Sequence, residues 1–320
     1  MPFVGAANAT TQQATRWLVE NEPEIIQIHG HFPSQAVQGG FLTYARVPKL
    51  IEASPAGACL PIKDHSDEAT QAKFGFLEYA TRLVICNADE DTLRVPNPPE
   101  EVEVELAKIK LDYGYYAHLD VATGDPVFGG LQDIVAPGNV INVGGAPLSF
   151  PCLEATFGKV TANNNRPSVI MSNLRSRESY RNLCWAAGIE PPMVPWTWYD
   201  PFKGWQQGKV TSFHGVPWLV NTKMNAGLLP VDRRIYFMVM GDDGGPGHTR
   251  GITCIRPADL MNRRYIKRAV NGVPDFANGE VNMARNVWLT MPAGLAMGSQ
   301  GSLSILTNFE NVGECAGIVP

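Results

Sequence analysis

Residues 289–309 constrain the fold more than any other stretch of the chain. They form an apolar run without a single Asp, Glu, Lys, Arg, His or Cys, and they hold no metal ligand, catalytic pattern or phosphate loop. Such a run is stable only when buried, because about 25 cal/mol is gained for each Å² of apolar surface removed from water. The chain must therefore return to its core near its end, after a mid-chain region rich in Gly, Pro and Trp. That is the behaviour of a building block more than of a catalyst. With 320 residues there is enough chain for one large domain or two ordinary ones. Charged residues make up 18% of it, below the quarter or so of an average soluble domain. With 31 Gly and 25 Pro, this points to many loops and to surface covered by partners.

The formal net charge of -5 argues against a dedicated DNA-binding protein, whose affinity comes from cations neutralising phosphates. The local basic stretches, Arg233-Arg234 and residues 263–268, read as solvated faces or subunit ion pairs. Six cysteines lie far apart with no CxxC pair and read as reduced thiols. No apolar run approaches the roughly 20 residues that span a bilayer, so no membrane partner is expected.

Residues 1–40 mix Ala, Asn, Gln and Thr around one helical stretch at 15–21, and Gly39-Gly40 ends the pattern. This reads as an arm. Residues 41–47 and 77–85 read as extended and are expected to pair as a long hairpin. In the second, Leu77, Tyr79, Thr81, Leu83 and Ile85 point one way, and Glu78 and Arg82 the other. The roughly 25 residues between them, 49–73, carry Pro55, Gly57, Pro61 and an acidic patch at 64–68. A loop of that length is functional or ordered by a partner.

Asn97-Pro98-Pro99-Glu100-Glu101 is a helix start: a cap, a first-turn proline and two carboxylates at the positive end of the dipole. Val102, Leu106, Ile109, Tyr113 and Tyr116 continue it as one apolar stripe, ending before Gly124-Asp125-Pro126. A second amphipathic segment covers 148–162, interrupted near its start by Pro151. Residues 167–172 form a short buried strand. Asn173 then caps a helix whose face is Tyr180, Leu183, Cys184 and Ala187 and whose stop is Gly188. Beyond Gly188 the composition turns to Pro191-Pro192, Trp196, Trp198, Tyr199 and Trp205, and a domain boundary is expected there. Strands follow at 218–221, 235–240, 287–290 and 303–308, giving a mixed α+β core.

Signals for chemistry are thin. The glycine-rich loop 241–251 follows an apolar strand, yet it matches neither the P-loop nor the dinucleotide fingerprint. Asp242, Asp243 and His248, or His29 and His31, fall short of the convergent ligands that a metal needs. Glu100 and Glu101 are explained by their place at a helix start. Trp196, Trp198, Tyr199, Phe202 and Trp205 suit either a stacking platform or a core or subunit-interface cluster. No GxSxG, HExxH or Cys-His pattern occurs, so no catalytic residue, cofactor or metal is assigned.

Several passages recur in a telling order: the helix 99–121 running into Gly124-Asp125 and Gly130-Leu131, the strand and helix of 166–184, the Gly-x-Pro strand 214–221, the apolar strand 235–242 ending in Gly-Asp, and the closing strand 303–309. In that order they resemble the major capsid proteins of tailed double-stranded-DNA bacteriophages, the Hong Kong 97-type fold. The resemblance implies an N-terminal arm (1–40), an extended loop lying over a neighbouring subunit (41–85) and a peripheral domain with a long spine helix (86–187). An axial domain (188–286) and return strands of the peripheral domain with the C-terminus (287–320) complete it.

The function implied is self-assembly, without catalysis, into an icosahedral shell around packaged DNA, in a virion assembled in the host cytoplasm. The implied partners are other copies in hexamers and pentamers, a portal, a cement protein, and DNA bound without sequence specificity. Relatives often begin with a long charged scaffolding segment, whereas this sequence enters the arm almost at once, so a separate scaffolding protein is expected. Arg46, Lys63, Asp64, Asp67, Glu68, Lys73, Glu78, Arg82, Trp196, Trp198 and Trp205 are the candidate inter-subunit contacts. The lysine-to-asparagine cross-link of some relatives does not carry over, because no motif aligns with it; Lys63 and Lys73 are loop lysines. An encapsulin-like compartment shell is the alternative within this class. A cytoplasmic enzyme or a carbohydrate-binding module using the tryptophans is the alternative outside it.

Overall fold

In the computed structural model, the residues described are 26–28, 31–46, 70–86, 99–161, 166–200, 204–224, 229–241, 251–260, 265–271 and 284–313. Because side chains alternate across a strand, Val287, Leu289, Met291 and Ala293 all fall on one face of a 14-residue strand, Ala284–Met297, and all are buried. In chain order this strand is β13, and a sheet is built around it. On one side it pairs antiparallel with β4 (Leu77–Cys86), from Ala284 opposite Cys86 to Ala293 opposite Leu77. On the other it pairs with β12 (Ile266–Asn271) and, further along, β11 (Ile252–Pro257). Strand β1 (Ser34–Val37) adds to β11 in parallel. Strands β2 (Phe41–Arg46) and β3 (Thr70–Gly75) form a two-stranded sheet of their own.

Helix α1 (Pro99–His118) covers the apolar face of β4 and β13. Its buried stripe runs through Val104, Ala107, Leu111 and Tyr115, with Tyr113 and Tyr116 beside it. The expected stripe shared the two tyrosines; Leu106 and Ile109, which it also counted, lie at the half-buried margin. The offset arises because the stripe must contact two strands at once, and the helix turns to centre on their junction. Past the short helix α2 (Leu131–Ile134), a seven-stranded sheet begins.

Its order is β5 (Val140–Asn142), β14 (Leu303–Thr307), β10 (Arg234–Met238), β6 (Val169–Ser172), β9 (Val216–Val220), β8 (Gly204–Phe213) and β7 (Met193–Asp200). Both faces of its centre are buried, as its near-continuous apolar strands require. Ile170, Trp218, Ile235, Phe237 and Leu306 face helices α3 (Phe150–Thr161) and α4 (Leu174–Ala186). Met171, Leu219, Tyr236, Met238 and Ile305 join the core shared with α1 and the first sheet. Pro151 sits in the first turn of α3, where its missing N–H interrupts nothing. Asn173 caps α4 as expected, its Oδ1 accepting from the Ser176 amide at 2.8 Å, and Gly188 ends the helix at φ +71°.

The end of α1 is tied to the seven-stranded sheet by buried polar contacts. The carboxylate of Asp120 accepts from the Tyr236 hydroxyl and lies 3.6 Å from the Arg234 guanidinium, and Asn221 Nδ2 donates to the Tyr116 carbonyl at 3.1 Å. A strap from the chain's start crosses both sheets as well. The Gln27 amide donates to Val220 O at 2.9 Å, and Pro33 O accepts from Cys254 N at 2.8 Å.

The expected strand pairing is corrected by this topology. Strand β2 pairs with β3, whereas β4, expected to be its hairpin partner, pairs with β13 under α1. Alternation identifies a strand's faces but carries no information about which strand its backbone meets. Strands from both sides of residue 188 share the seven-stranded sheet, β6 pairing with β9 and β10. The change in composition there marks the β7–β8 ribbon, and the sheet runs across it. The apolar tail divides between sheets, β13 entering the first and β14 the second. The helical stretch 15–21, the Asn97 cap and the loop 242–250 lie outside the described residues.

Candidate inter-subunit surfaces

Three surface features stand out. The first is the β2–β3 ribbon, whose base is fixed to the rest of the fold and whose Leu42, Tyr44 and Ala72 pack half-buried against the core. At the base the Gly75 amide donates to Val127 O at 2.8 Å, and Phe74 is buried against the core. Gly75 and Gly294 allow this close crossing: a Cβ on Gly294 would strike the Gly75 carbonyl oxygen, and one on Gly75 the Phe128 ring. Along the ribbon, Lys73 Nζ stands 3.6 Å from the centre of the Phe41 ring, a cation–π contact on an exposed face. The Arg46 backbone pairs with Thr70 at the far end.

The second is the β7–β8 ribbon. Its two strands pair from Met193 opposite Thr211 to Asp200 opposite Gly204, but β8 meets β9 only at Ser212 and Phe213. Most of its length therefore stands clear of its own sheet. Trp198 lies over Gly208, where a Cβ would come within 3.0 Å of its ring. Trp196 packs against His31, with centroids 4.7 Å apart, and His31 Nε2 is 2.5 Å from the Thr197 carbonyl on the strand's outer edge. On the other face Trp205 remains 62% exposed, edge-on to Tyr199 at 5.7 Å.

The third lies on the face of the first sheet turned away from α1. Trp288 of β13 is directly opposite Arg82 of β4 on one side and Arg268 of β12 on the other. Directly opposed residues share a face, so a guanidinium flanks the indole on each side. Arg82 is 5.7 Å from the Trp288 ring, both arginines are exposed, and Trp288 is 42% exposed.

The candidates chosen from sequence are distributed among these features. Lys73 lies on the first ribbon, Trp196, Trp198 and Trp205 on the second, and Arg82 in the row, with exposed Glu78 along the same face of β4. The tryptophans are thus brought together, with Trp196 and Trp198 on one face and Trp205 on the other. Lys63, Asp64, Asp67 and Glu68 lie outside the described residues. Trp288 was not singled out. Its signal was present, an aromatic at the outward phase between inward Val287 and Leu289, but nothing in a one-dimensional pattern showed that two arginines would flank it. Among the described residues no group of three His, Cys, Asp or Glu side chains is placed to hold a metal ion, and no helix is long and apolar enough to cross a membrane.

No protein-family model matches the sequence, and no curated protein matches it. Solved structures do match. The holo-SrpI encapsulin complex from Synechococcus elongatus PCC 7942 aligns over 95% of this chain and 91% of its own, with a TM-score of 0.68 at 14% identity. The capsid of a native GTA particle aligns over 89% and 90%, with a TM-score of 0.59 at 13% identity. A structure from Mycobacterium phage Bobi aligns over 90% and 91%, with a TM-score of 0.57 at 13% identity. The chain has the Hong Kong 97-type α+β fold.

Proposed function

We propose that this chain is a shell-forming subunit, the major capsid protein of a tailed double-stranded-DNA phage, acting by association between copies and not by catalysis. The observation that carries this reading is a pair of two-stranded ribbons, β2–β3 as a sheet of its own and β7–β8 extending from the seven-stranded sheet. An isolated two-stranded ribbon is at best marginally stable in water, and these two present Phe41, Trp205 and Met193 to solvent. Coverage by neighbouring copies would bury them. Shell interfaces of this kind bury roughly 2,000 Å² or more per contact, spread over many weak points.

On this reading the first sheet with α1 is the peripheral domain, and the seven-stranded sheet with α3 and α4 is the axial domain. The β2–β3 ribbon is the extended loop, and Lys73, Glu78, Arg82 and the ribbon tryptophans face other copies in hexamers and pentamers. A separate scaffolding protein, a portal, a cement protein and packaged DNA complete the particle, which forms in the host cytoplasm. A second reading, an encapsulin-like compartment, is favoured by the alignment to the SrpI encapsulin over 95% of the chain.

Expression of the full chain, with and without a candidate scaffold, followed by sedimentation and negative-stain electron microscopy, tests both. Closed shells are the expected product. Shells that need a scaffold and take up nuclease-protected DNA support the phage reading, and shells that enclose a co-purifying enzyme support the compartment. Small species alone under every condition would overturn both.

A further inference from the structure

We infer that the outer face of helices α3 and α4 is a binding surface for the phosphate backbone of duplex DNA. This rests on the reading of the chain as a capsid subunit and deepens it, by naming the surface that meets the packaged genome. Residues 150–186, which hold both helices and the strand β6 between them, carry Lys159, Arg166, Arg175, Arg177 and Arg181 against two carboxylates, Glu154 and Glu178, in a chain whose net charge is -5. Positive charge is thus concentrated in one stretch of an otherwise acidic chain, and such segregation is the electrostatic footprint of a site for a polyanion. The fold keeps that charge together. Both helices lie on the same side of the seven-stranded sheet with their apolar stripes turned inward, and Phe150 of α3 meets Tyr180 of α4 at 6.4 Å between ring centres. Lys159, Arg166 and Arg175 are therefore left exposed, and Arg177 and Arg181 half-buried.

The arginines are held in place and keep donors to spare. Arg166 donates from Nη2 to the His214 carbonyl at 3.1 Å, and the His214 ring packs on Phe157 with centroids 5.1 Å apart, which fixes Arg166 beside α3. Glu154 of α3 lies 2.6 Å from His214 Nε2. Arg177 and Arg181 each give one nitrogen to Glu178, at 2.9 and 3.0 Å. A guanidinium carries five donors, so these contacts orient it and leave others for a phosphate. Arg181 also stands over the Trp185 ring, 5.0 Å from its centre, and that indole is 53% exposed. Along α4, Arg175 and Arg181 are about 9 Å apart at 1.5 Å per residue. That distance covers two or three phosphates of one strand at roughly 3.4 Å of rise each. The acidic remainder of the chain repels DNA and so turns this face towards it.

Fluorescence anisotropy of a short fluorescein-labelled DNA duplex, titrated at low salt with the full chain below its assembly concentration, tests this. Arg166→Gln/Arg175→Gln/Arg181→Gln should weaken binding about tenfold or more and lower the slope of log affinity against log salt by about 0.9 for each arginine that meets a phosphate. Circular dichroism should stay unchanged, because none of the three side chains is buried. Glu178→Gln should tighten binding, a result that loss of structure cannot produce. The fluorescence of Trp185, read as the difference between the unsubstituted chain and Trp185→Phe, should change when the duplex binds. No binding by the unsubstituted chain, or the same affinity and salt slope in the triple variant, would overturn the inference. So would a triple variant that binds the duplex normally but no longer binds polyglutamate, which would assign the face to an acidic protein partner. Failure of the unsubstituted chain to form shells while it still binds the duplex through this face would instead count against the proposed function, so the two failures are distinguishable.

Discussion

Tyr236 has no exposed surface, and its hydroxyl donates to the carboxylate of Asp120, itself 7% exposed. Burial, reinforced by the negative charge of Asp120, holds the Tyr236 phenol well above its ordinary value. Burial does the same to Tyr115, Tyr79 and Tyr180. Each raised phenol binds its proton more tightly in the native state than in the unfolded chain. The associated stability is complete below about pH 10, the unfolded value, and is lost as pH climbs from there towards the native values. Titration followed at 295 nm and by circular dichroism should therefore show these phenolates appearing together with unfolding. Gradual ionisation at pH 10 with the dichroism intact would contradict that account. At neutral pH, Tyr236→Phe should cost about 1–3 kcal/mol in urea denaturation, because it removes a donor from a buried carboxylate.

At the scale of elements, the ribbons differ from the sheets in what holds them. Strand β13 is paired on both sides, whereas among the described residues β2 and β3 pair with each other alone, their base held at the crossing of Gly75 with Gly294. Gly294→Ala would force the two backbones apart at a cost of about 1–3 kcal/mol. Hydrogen exchange should show faster amides in β3 and near Ala293, with the seven-stranded sheet unchanged. A uniform loss of protection would instead mean that the ribbon base is integral to the core. Helix α4 offers a control on an element that carries none of the proposed inter-subunit contact residues. Asn173→Ala removes a cap worth about 1 kcal/mol and should lower the denaturation midpoint without changing the size of the assembled particle.

For the whole molecule, residues 289–309 run from one sheet into the other, β13 ending in the first and β14 starting in the second. Leu303 is fully buried and Ile305 is 2% exposed. A carboxylate at either site would lose its hydration with no partner, a cost of several kcal/mol. Leu303→Asp should leave the chain insoluble or unfolded by circular dichroism. Charge changes at 64–68 should leave the fold intact and change assembly alone. A folded Leu303→Asp protein would remove the tail from its central place.

What the sequence determined by itself was local: the burial of 289–309, the faces of β4, the α1 helix, the Asn173 cap and the Gly188 stop. Each follows from side-chain periodicity or a single residue's backbone preference, which a linear pattern carries. The order of passages also resembled a shell fold, which solved structures bear out. Only the tertiary structure decided which strands pair, that the tail serves both sheets, that β7 and β8 project, and that Arg82 and Arg268 flank Trp288. Those are contacts between residues as much as two hundred positions apart. They are selected by whichever backbone edges and apolar faces fit together once the chain collapses, and no local pattern of polar and apolar residues encodes that choice.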